Sequence, residues 1–397
     1  MTIPKRHPSV KMTKISLLKC CGYDKADSAV RETLNLLGGI SSFIKPGEKI
    51  LIKPNLLSAK TPDKAVTTHP EIVRAIIRLV KSVGAVVSVG DSPGGIYSLD
   101  INNLWKVTGM SDVCREENVE LISFESAGSH KIDVNDANIK KVLFSKAVLD
   151  CDGIINLPKL KTHSLMAFTA GIKNLYGCIP GMIKVEYHKY ASKNADFARL
   201  LSNIYLFLKN KIRFTLIDGI LAMEGNGPSS GDIRKADLIA ASTDTLMLDV
   251  FLFSFLGGNI SKNHVFKNLD IKEKDLTRLS IVGVLPGDFN LNKFSFPQTK
   301  ALDIVPKPLV KIIGKFLWIR PVIDISKCVG CMFCAKSCPV KAIKRKDNEK
   351  YPSVTDEKCI SCFCCHELCP YKAVDFKRSF LAKILMYLER KYNKNAV

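Results

Sequence analysis

Residues 49–95 read KILIKPNLLSAKTPDKAVTTHPEIVRAIIRLVKSVGAVVSVGDSPGG. Two short apolar runs, Lys49-Ile-Leu-Ile-Lys53 and Val86-Val-Ser-Val89, flank a segment with helical spacing. Ile72, Ile76, Leu79, Val80 and Val83 fall on one helix face. Thr68-His69-Pro70-Glu71 is a start signal: Thr68 can cap, Pro70 lies in the first turn, and Glu71 stands three residues after Thr68. Gly84 ends the helix. Strand, helix and strand in this order predict a parallel pair joined by a crossover. The strand signal returns at Asp152 to Leu157, Phe214 to Asp218 and Leu238 to Ser242. The expectation is an α/β fold over residues 12–291, with a mainly parallel sheet and flanking helices.

Polar, glycine-containing segments follow these strands, where open α/β sheets bind ligands. Lys53-Pro54-Asn55-Leu56 is one and Gly90-Asp91-Ser92-Pro93-Gly94-Gly95 another, although a glycine turn alone also reads as a tight turn. The most informative runs from Asn156-Leu157-Pro158 through Lys159, Lys161 and His163 to Gly171-Ile-Lys173-Asn174, then Pro180-Gly181. Lysine can bind phosphate or carboxylate, or act as a nucleophile when desolvated. Histidine can move protons near neutral pH. Asp218 and Glu224, in Asp218-Gly-Ile-Leu-Ala-Met-Glu224-Gly-Asn-Gly-Pro228, add carboxylates suited to Mg²⁺ or to base work, while Asp218 also reads as a turn-former. Lys161, His163, Lys173, Asp218 and Glu224 are the candidate catalytic residues.

Further along, Cys328-Val-Gly-Cys331-Met-Phe-Cys334-Ala-Lys-Ser-Cys338-Pro339 returns as Cys359-Ile-Ser-Cys362-Phe-Cys-Cys365-His-Glu-Leu-Cys369-Pro370. Thiolates suit zinc or iron–sulfur clusters, and the spacing C-x2-C-x2-C-x3-C-P selects the latter. It predicts two [4Fe–4S] clusters with crossed ligation. Cys328, Cys331, Cys334 and Cys369 hold the first; Cys359, Cys362, Cys365 and Cys338 hold the second. Cys364 breaks the spacing and reads as a spare thiol near the cluster. The module, residues 323–376, resembles the bacterial-type two-cluster ferredoxins and is expected to be a small α+β unit. Residues 292–322, punctuated by prolines, read as a linker or docking segment, with a basic amphipathic piece from Leu309 to Ile319. Residues 377–397 read as a basic amphipathic terminal helix with Phe380, Leu381, Ile384, Leu385 and Leu388 on its apolar face.

The 397 residues are 46% hydrophobic, enough for a sizeable core, and carry a formal charge of +21. That charge suits an anionic substrate, an acidic partner, nucleic acid or an anionic membrane surface. The longest basic run is only Lys344-Arg345-Lys346 and lacks interleaved aromatics, so nucleic acid is not favoured. Of fourteen cysteines, eight have cluster spacing and the rest are scattered. With no apolar segment behind Met1-Thr-Ile-Pro-Lys-Arg and no run long enough to span a membrane, the expected setting is the reducing cytoplasm.

Lys53-Pro-Asn, Thr68-His-Pro-Glu, Gly90-Asp-Ser-Pro-Gly, Leu157-Pro-Lys-Leu-Lys-Thr-His163, Gly171-Ile-Lys-Asn-Leu-Tyr-Gly177 and Asp218-Gly…Glu224-Gly-Asn-Gly-Pro228 together resemble the DUF362 family, members of which are often fused to a ferredoxin module. The family name carries no activity. A looser resemblance links His163, Lys173 and Pro180-Gly181 to the lactate racemase family, whose lysine carries a nickel pincer nucleotide. The residues between differ and no second histidine-rich motif is present, so it implies only a small anion or nucleotide near Lys173. The expected function is an iron–sulfur redox protein, possible class oxidoreductase. It would exchange electrons with a donor or acceptor protein and serve a site for a small anionic substrate in the α/β domain. The alternative is a non-catalytic electron carrier or assembly factor whose large domain docks a partner.

Overall fold

The computed structural model describes residues 12–134, 136, 138–297 and 318–384. Its central sheet has ten strands, among them β1 (Thr13–Lys19), β2 (Lys49–Pro54), β3 (Val86–Asp91) and β4 (Glu120–Ser123). A separate hairpin pairs β5 (Ser129–Asp133) with β6 (Lys141–Ser145). The sheet continues with β7 (Gly153–Leu157), β8 (Lys159–His163), β9 (Ala167–Thr169), β10 (Ile212–Glu224), β11 (Asp232–Ser242) and β12 (Leu279–Gly283). Their order is β12-β1-β11-β10-β7-β2-β3-β4, with β8 on the far half of β10 and β9 on β8. The β7-β2-β3-β4 side is parallel throughout, as the βαβ reading requires. The antiparallel pairings of β11 with β1 and β10 make the sheet mixed. Helices cover both faces, and each face has its own apolar core.

The helix between β2 and β3 runs from Pro70 to Ser82 and buries Ile72, Ile76, Leu79 and Val80. Its cap differs from the expected one. His69 caps, its Nδ1 accepting from the Glu71 amide at 3.2 Å. The Thr68 hydroxyl instead accepts from the Asn55 amide and donates to Leu157 O at 2.6 Å. Thr68 therefore ties the ends of β2 and β7 together. An amide and a carbonyl left unpaired at those strand ends outcompete the helix terminus for its one hydroxyl.

β7 and β8 are one strand interrupted at Pro158. β7 lies between β2 and the first half of β10, and β8 pairs with the second half. The winding reverses between β7 and β2, so Lys53-Pro54-Asn55 and Asn156-Leu157 open onto a switch-point crevice.

In the C-terminal region β13 (Ile319–Ile323) pairs with β16 (Val374–Arg378), and β14 (Ile343–Lys344) with β15 (Ser353–Val354). Two single-turn helices, Phe333–Lys336 and Cys364–Glu367, carry cysteines of the two repeats. Phe363 and Phe376 join the core of the large domain. Phe294 is buried there too, and the Ser295 backbone bonds Gly225 and Glu224, so the chain is still anchored to the large domain at residues 294–295. Most of the expected amphipathic piece, and the terminal helix beyond Ile384, lie outside the described residues.

Candidate functional site

The crevice deepens into a cavity between the strand ends and the cysteine module. Its large-domain walls include Lys53, Asp91, Ser92, Lys173, Asn174 and Lys184. Its remaining wall is Cys364, Glu367 and Leu368 of the cysteine module. The ends of β2 and β3 supply the floor. Lys53 and Asp91, both buried, pair at 2.7 Å, and Asp91 also accepts from the Leu56 amide. Burial raises the Asp91 pKa, against the pull of Lys53 and Lys184. Asn156 on β7 donates to Gly171 O and accepts from Asn174, fixing the amide that faces the cavity.

Lys173 projects from the short helix Gly171–Asn174, whose first two amides are held by Asp249 at 2.8 and 2.9 Å. Its ammonium lies 5.0 Å from the centroid of Tyr176 and 5.6 Å from that of Phe197. Among the described residues it has no hydrogen bond or ion pair. Burial lowers its pKa, opposed chiefly by Glu367. Opposite, Lys184 donates to Ser92 O at 2.7 Å and to the Ser92 hydroxyl. Burial brings its pKa down to about 7, against Asp91 and Glu125.

His163, at the end of β8, accepts at Nδ1 from the Leu165 and Met166 amides. The neutral ring therefore keeps its proton on Nε2. That nitrogen stands 3.3 Å from Glu367 Oε1, off the line of a hydrogen bond. Burial first, then Lys173 and Lys161, push the His163 pKa well down. The same burial raises Glu367 to about 7, against Lys173 and Lys161. Lys161 donates to Asn55 Oδ1 and Val66 O, both at 2.7 Å, and burial holds it well below the usual lysine range.

The two other expected residues sit elsewhere. Asp218 pairs with Lys159 at 2.9 Å, accepts from Tyr23 at 2.9 Å and from the His69 amide at 2.8 Å. Its acceptor sites are occupied by this buried network. Glu224 pairs with Arg234 at 2.7 Å near the surface. The two carboxylates do not meet, because β10 carries them past different neighbours. The structure therefore gathers Lys161, His163 and Lys173, and leaves Asp218 and Glu224 apart. It adds Lys184, His188 and Glu367. Lys184 and His188 follow Pro180-Gly181 on one helix, Ile183–Tyr190, a signal present but weak. Glu367 comes from a repeat whose spacing speaks only of cysteines.

Two glycines of the Gly90–Gly95 loop, Gly94 and Gly95, pack against the cysteine module. A Cβ at Gly94 would lie 2.7 Å from Leu368 Cδ2, and Gly95 meets the same side chain at positive φ. The loop is bare at Gly94 and Gly95, where the module seats Leu368.

A second, tighter cavity in the module is lined by Cys328, Cys331, Cys334 and Cys369 together with Tyr371 and Phe333. Backbone amides donate to Cys328, Cys338 and Cys369 Sγ at 3.2 to 3.4 Å. Such N–H groups stabilise charge on a thiolate and suit a cluster ligand. All fourteen cysteines are free of disulfides.

Fold and site define an α/β protein with an iron–sulfur electron-transfer module closing a charged cavity at the sheet's switch point. The chain belongs to the family described as "Domain of unknown function (DUF362)", which it matches over residues 50–254. Residues 327–373 match the 4Fe-4S dicluster domain. A thylakoid-associated protein of Synechocystis sp. is 36% identical over 247 residues, 61% of this chain and 74% of that protein. Among solved structures, the lactate racemase apoprotein from Thermoanaerobacterium thermosaccharolyticum aligns with TM-score 0.40 and 12% identity. It covers 63% of this chain, which spans 58% of that one. No helix among the described residues is long and apolar enough to cross a membrane.

Proposed function

We propose that the module holds two [4Fe–4S] clusters and exchanges electrons with a small anionic molecule bound in the interdomain cavity. Cys328, Cys331, Cys334 and Cys369 would hold one cluster, as their shared cavity supports. Cys359, Cys362, Cys365 and Cys338 would hold the other, and Cys338 is close enough to Cys359 and Cys365 to act on their charge. The clusters supply single electrons. The observation that carries the reading is that Cys364, between Cys362 and Cys365, lines the same cavity as Lys173, Lys184 and Asn174. An anion there would meet two ammonium groups not bound by each other, with Asn174 to orient it. His163 would hold a proton on Nε2 beside Glu367. Leu368 and Tyr176 would exclude water. We assign the protein to a reducing compartment, the cytoplasm, as its unpaired cysteines suggest. The thylakoid association of the relative suggests a peripheral contact with a membrane as an alternative setting.

The test begins with anaerobic reconstitution and electron paramagnetic resonance of the reduced protein. A signal from one cluster per chain would sink the ligand assignment. The reduced protein is then offered small carboxylates and phosphates, and reoxidation is followed optically. Lys173→Ala and His163→Ala should abolish anion-dependent reoxidation without loss of iron; unchanged turnover would remove the cavity from the chemistry. Because Lys184 loses its proton above about pH 7, anion affinity should weaken as pH rises through that value. A flat profile from pH about 6 to 9 would deny Lys184 a part, since an ammonium contributes only while charged.

A further inference from the structure

The cysteine module has a second junction with the large domain, beside the one that closes the cavity: Ser229, in its lining, donates to the Glu367 carbonyl. A groove there is lined by Lys60, Lys64, Ile233, Tyr371 and Lys372, among others. Tyr371 and Ile233 are half exposed, at 50% and 49%. Lys60 donates to Pro370 O at 2.6 Å, and Lys372 reaches Gly231 O at 3.4 Å. These bonds use backbone acceptors and leave the charges uncompensated. The only acid paired in the groove's surroundings among the described residues is Asp63, on Lys64 at 2.7 Å. Burial lowers the Lys60 pKa, and Lys372 lowers it further, against Cys369 and with a smaller push from Lys64.

Tyr371 also lines the cavity formed by Cys328, Cys331, Cys334 and Cys369. One side chain is therefore the wall between the basic groove and that cysteine set. The other set abuts the anion cavity through Cys364. The two cysteine sets thus face two different openings, one a basic groove with an apolar centre, the other the anion cavity.

We propose that this groove is the docking site of an acidic, single-electron carrier protein, which exchanges electrons with the cluster held by Cys328, Cys331, Cys334 and Cys369. The inference rests on the two-cluster reading above. Charge complementarity selects the partner: a lysine rim around an apolar centre steers an acidic surface and then buries its apolar contact. Position selects an electron carrier over other polyanions, because only electron transfer gains from a site one residue away from a cluster. In the step itself one electron leaves the reduced carrier and lowers the cluster from the 2+ to the 1+ state. No bond is made or broken.

The experiment uses the reconstituted full-length protein and a plant-type [2Fe–2S] ferredoxin as the acidic probe. Calorimetry gives the dissociation constant, and stopped-flow absorbance gives the rate of cluster reduction. The variant is Lys64→Glu/Lys372→Glu, which spares Lys60 and its bond to Pro370. Binding should weaken with added salt in the wild type. It should be weaker by about tenfold or more in the variant, with the rate falling in parallel. Reduction by methyl viologen radical, a small cation that needs no docking, should be unchanged. An unchanged dissociation constant and salt slope, with normal cluster signals, would overturn the docking site alone. Missing cluster signals would overturn both this proposal and the reading beneath it. Salt-sensitive dimerisation, or flotation on phosphatidylglycerol vesicles, that is lost in the variant while ferredoxin reduction persists would give the groove to another occupant and overturn the proposal.

Discussion

A methyl group on Gly177 would stand 2.6 Å from the Lys53 ammonium and collide with Asp91 as well. Neither partner can withdraw, since both are buried and hold the ends of β2 and β3. Gly177→Ala should therefore cost on the order of 3–5 kcal/mol, the scale for disrupting a buried ion pair. Urea unfolding would show it, with Gly287→Ala as the control, where a Cβ meets nothing within 4 Å. Equal midpoints for the two variants would deny the pair its structural role. His69 offers a pH test at the same scale. Its Nδ1 must stay unprotonated to cap the Pro70–Ser82 helix, and its ring stacks on Tyr23 at 3.5 Å. Burial depresses its pKa to about 4, with Lys159 acting in the same direction and Asp218 against it. Below the ordinary histidine value the unfolded chain takes up a proton that the fold resists. The stability this group contributes is thus present above pH about 6.5 and lost as pH falls through about 4. His69→Asn keeps a cap without that titration, so the difference between the two proteins should shrink towards acid. A constant difference would show that His69 does not set it.

At the scale of elements, the single-turn helix Cys364–Glu367 is the hinge of the reading. Leu368 follows it and fits against Gly94, whose φ of −69° is ordinary for any residue. Gly94→Val therefore tests space and not backbone strain. Overpacking of this kind costs about 1–3 kcal/mol. Hydrogen exchange at the Cys364–Glu367 amides should accelerate roughly tenfold, and adding Leu368→Ala should restore part of the protection. Protection unchanged by Gly94→Val would mean that the module is not seated by this contact. The same helix marks the limit of what the sequence discloses. Apolar periodicity located the Pro70–Ser82 helix and the parallel strands, because burial of one face imposes that period. Eight cysteine positions could be proposed as ligands from spacing alone. The cap at His69 was not legible, because it depends on Leu157, which the chain brings to Thr68 only after folding. Nor was Glu367, placed against His163 from 204 positions away. A charged residue inside a short cysteine-rich turn was the available signal, and spacing rules do not weigh it. Asp218 reads in sequence as a strand's end and Glu224 as part of the loop after it, but β10 runs through both, and their separation follows from the partners that each half of β10 meets.

For the whole molecule, the formal charge is +21, and a few of its cations are carried inside. Lys53 and Lys159 are offset by Asp91 and Asp218. Lys173, half-buried at the cavity wall, is not: its ammonium has two aromatic faces, and no carboxylate lies within ion-pair distance among the described residues. A fold selected only for stability would not keep it, because drawing a charge partly out of water without a partner is unfavourable. Methionine has similar length, no charge and a good fit between aromatic rings. Lys173→Met should therefore raise the unfolding free energy, by roughly 1–3 kcal/mol, while anion binding in the cavity is lost. Both are measurable on one preparation, by urea unfolding and by calorimetry with a small carboxylate. If stability falls instead, Lys173 is an ordinary packing residue whose stem holds the helix Gly171–Asn174 in place. If stability rises and binding persists, the anion is held by Lys184 and Asn174 alone. A rise in stability together with loss of binding is the signature of a residue kept for its ligand at the expense of the fold.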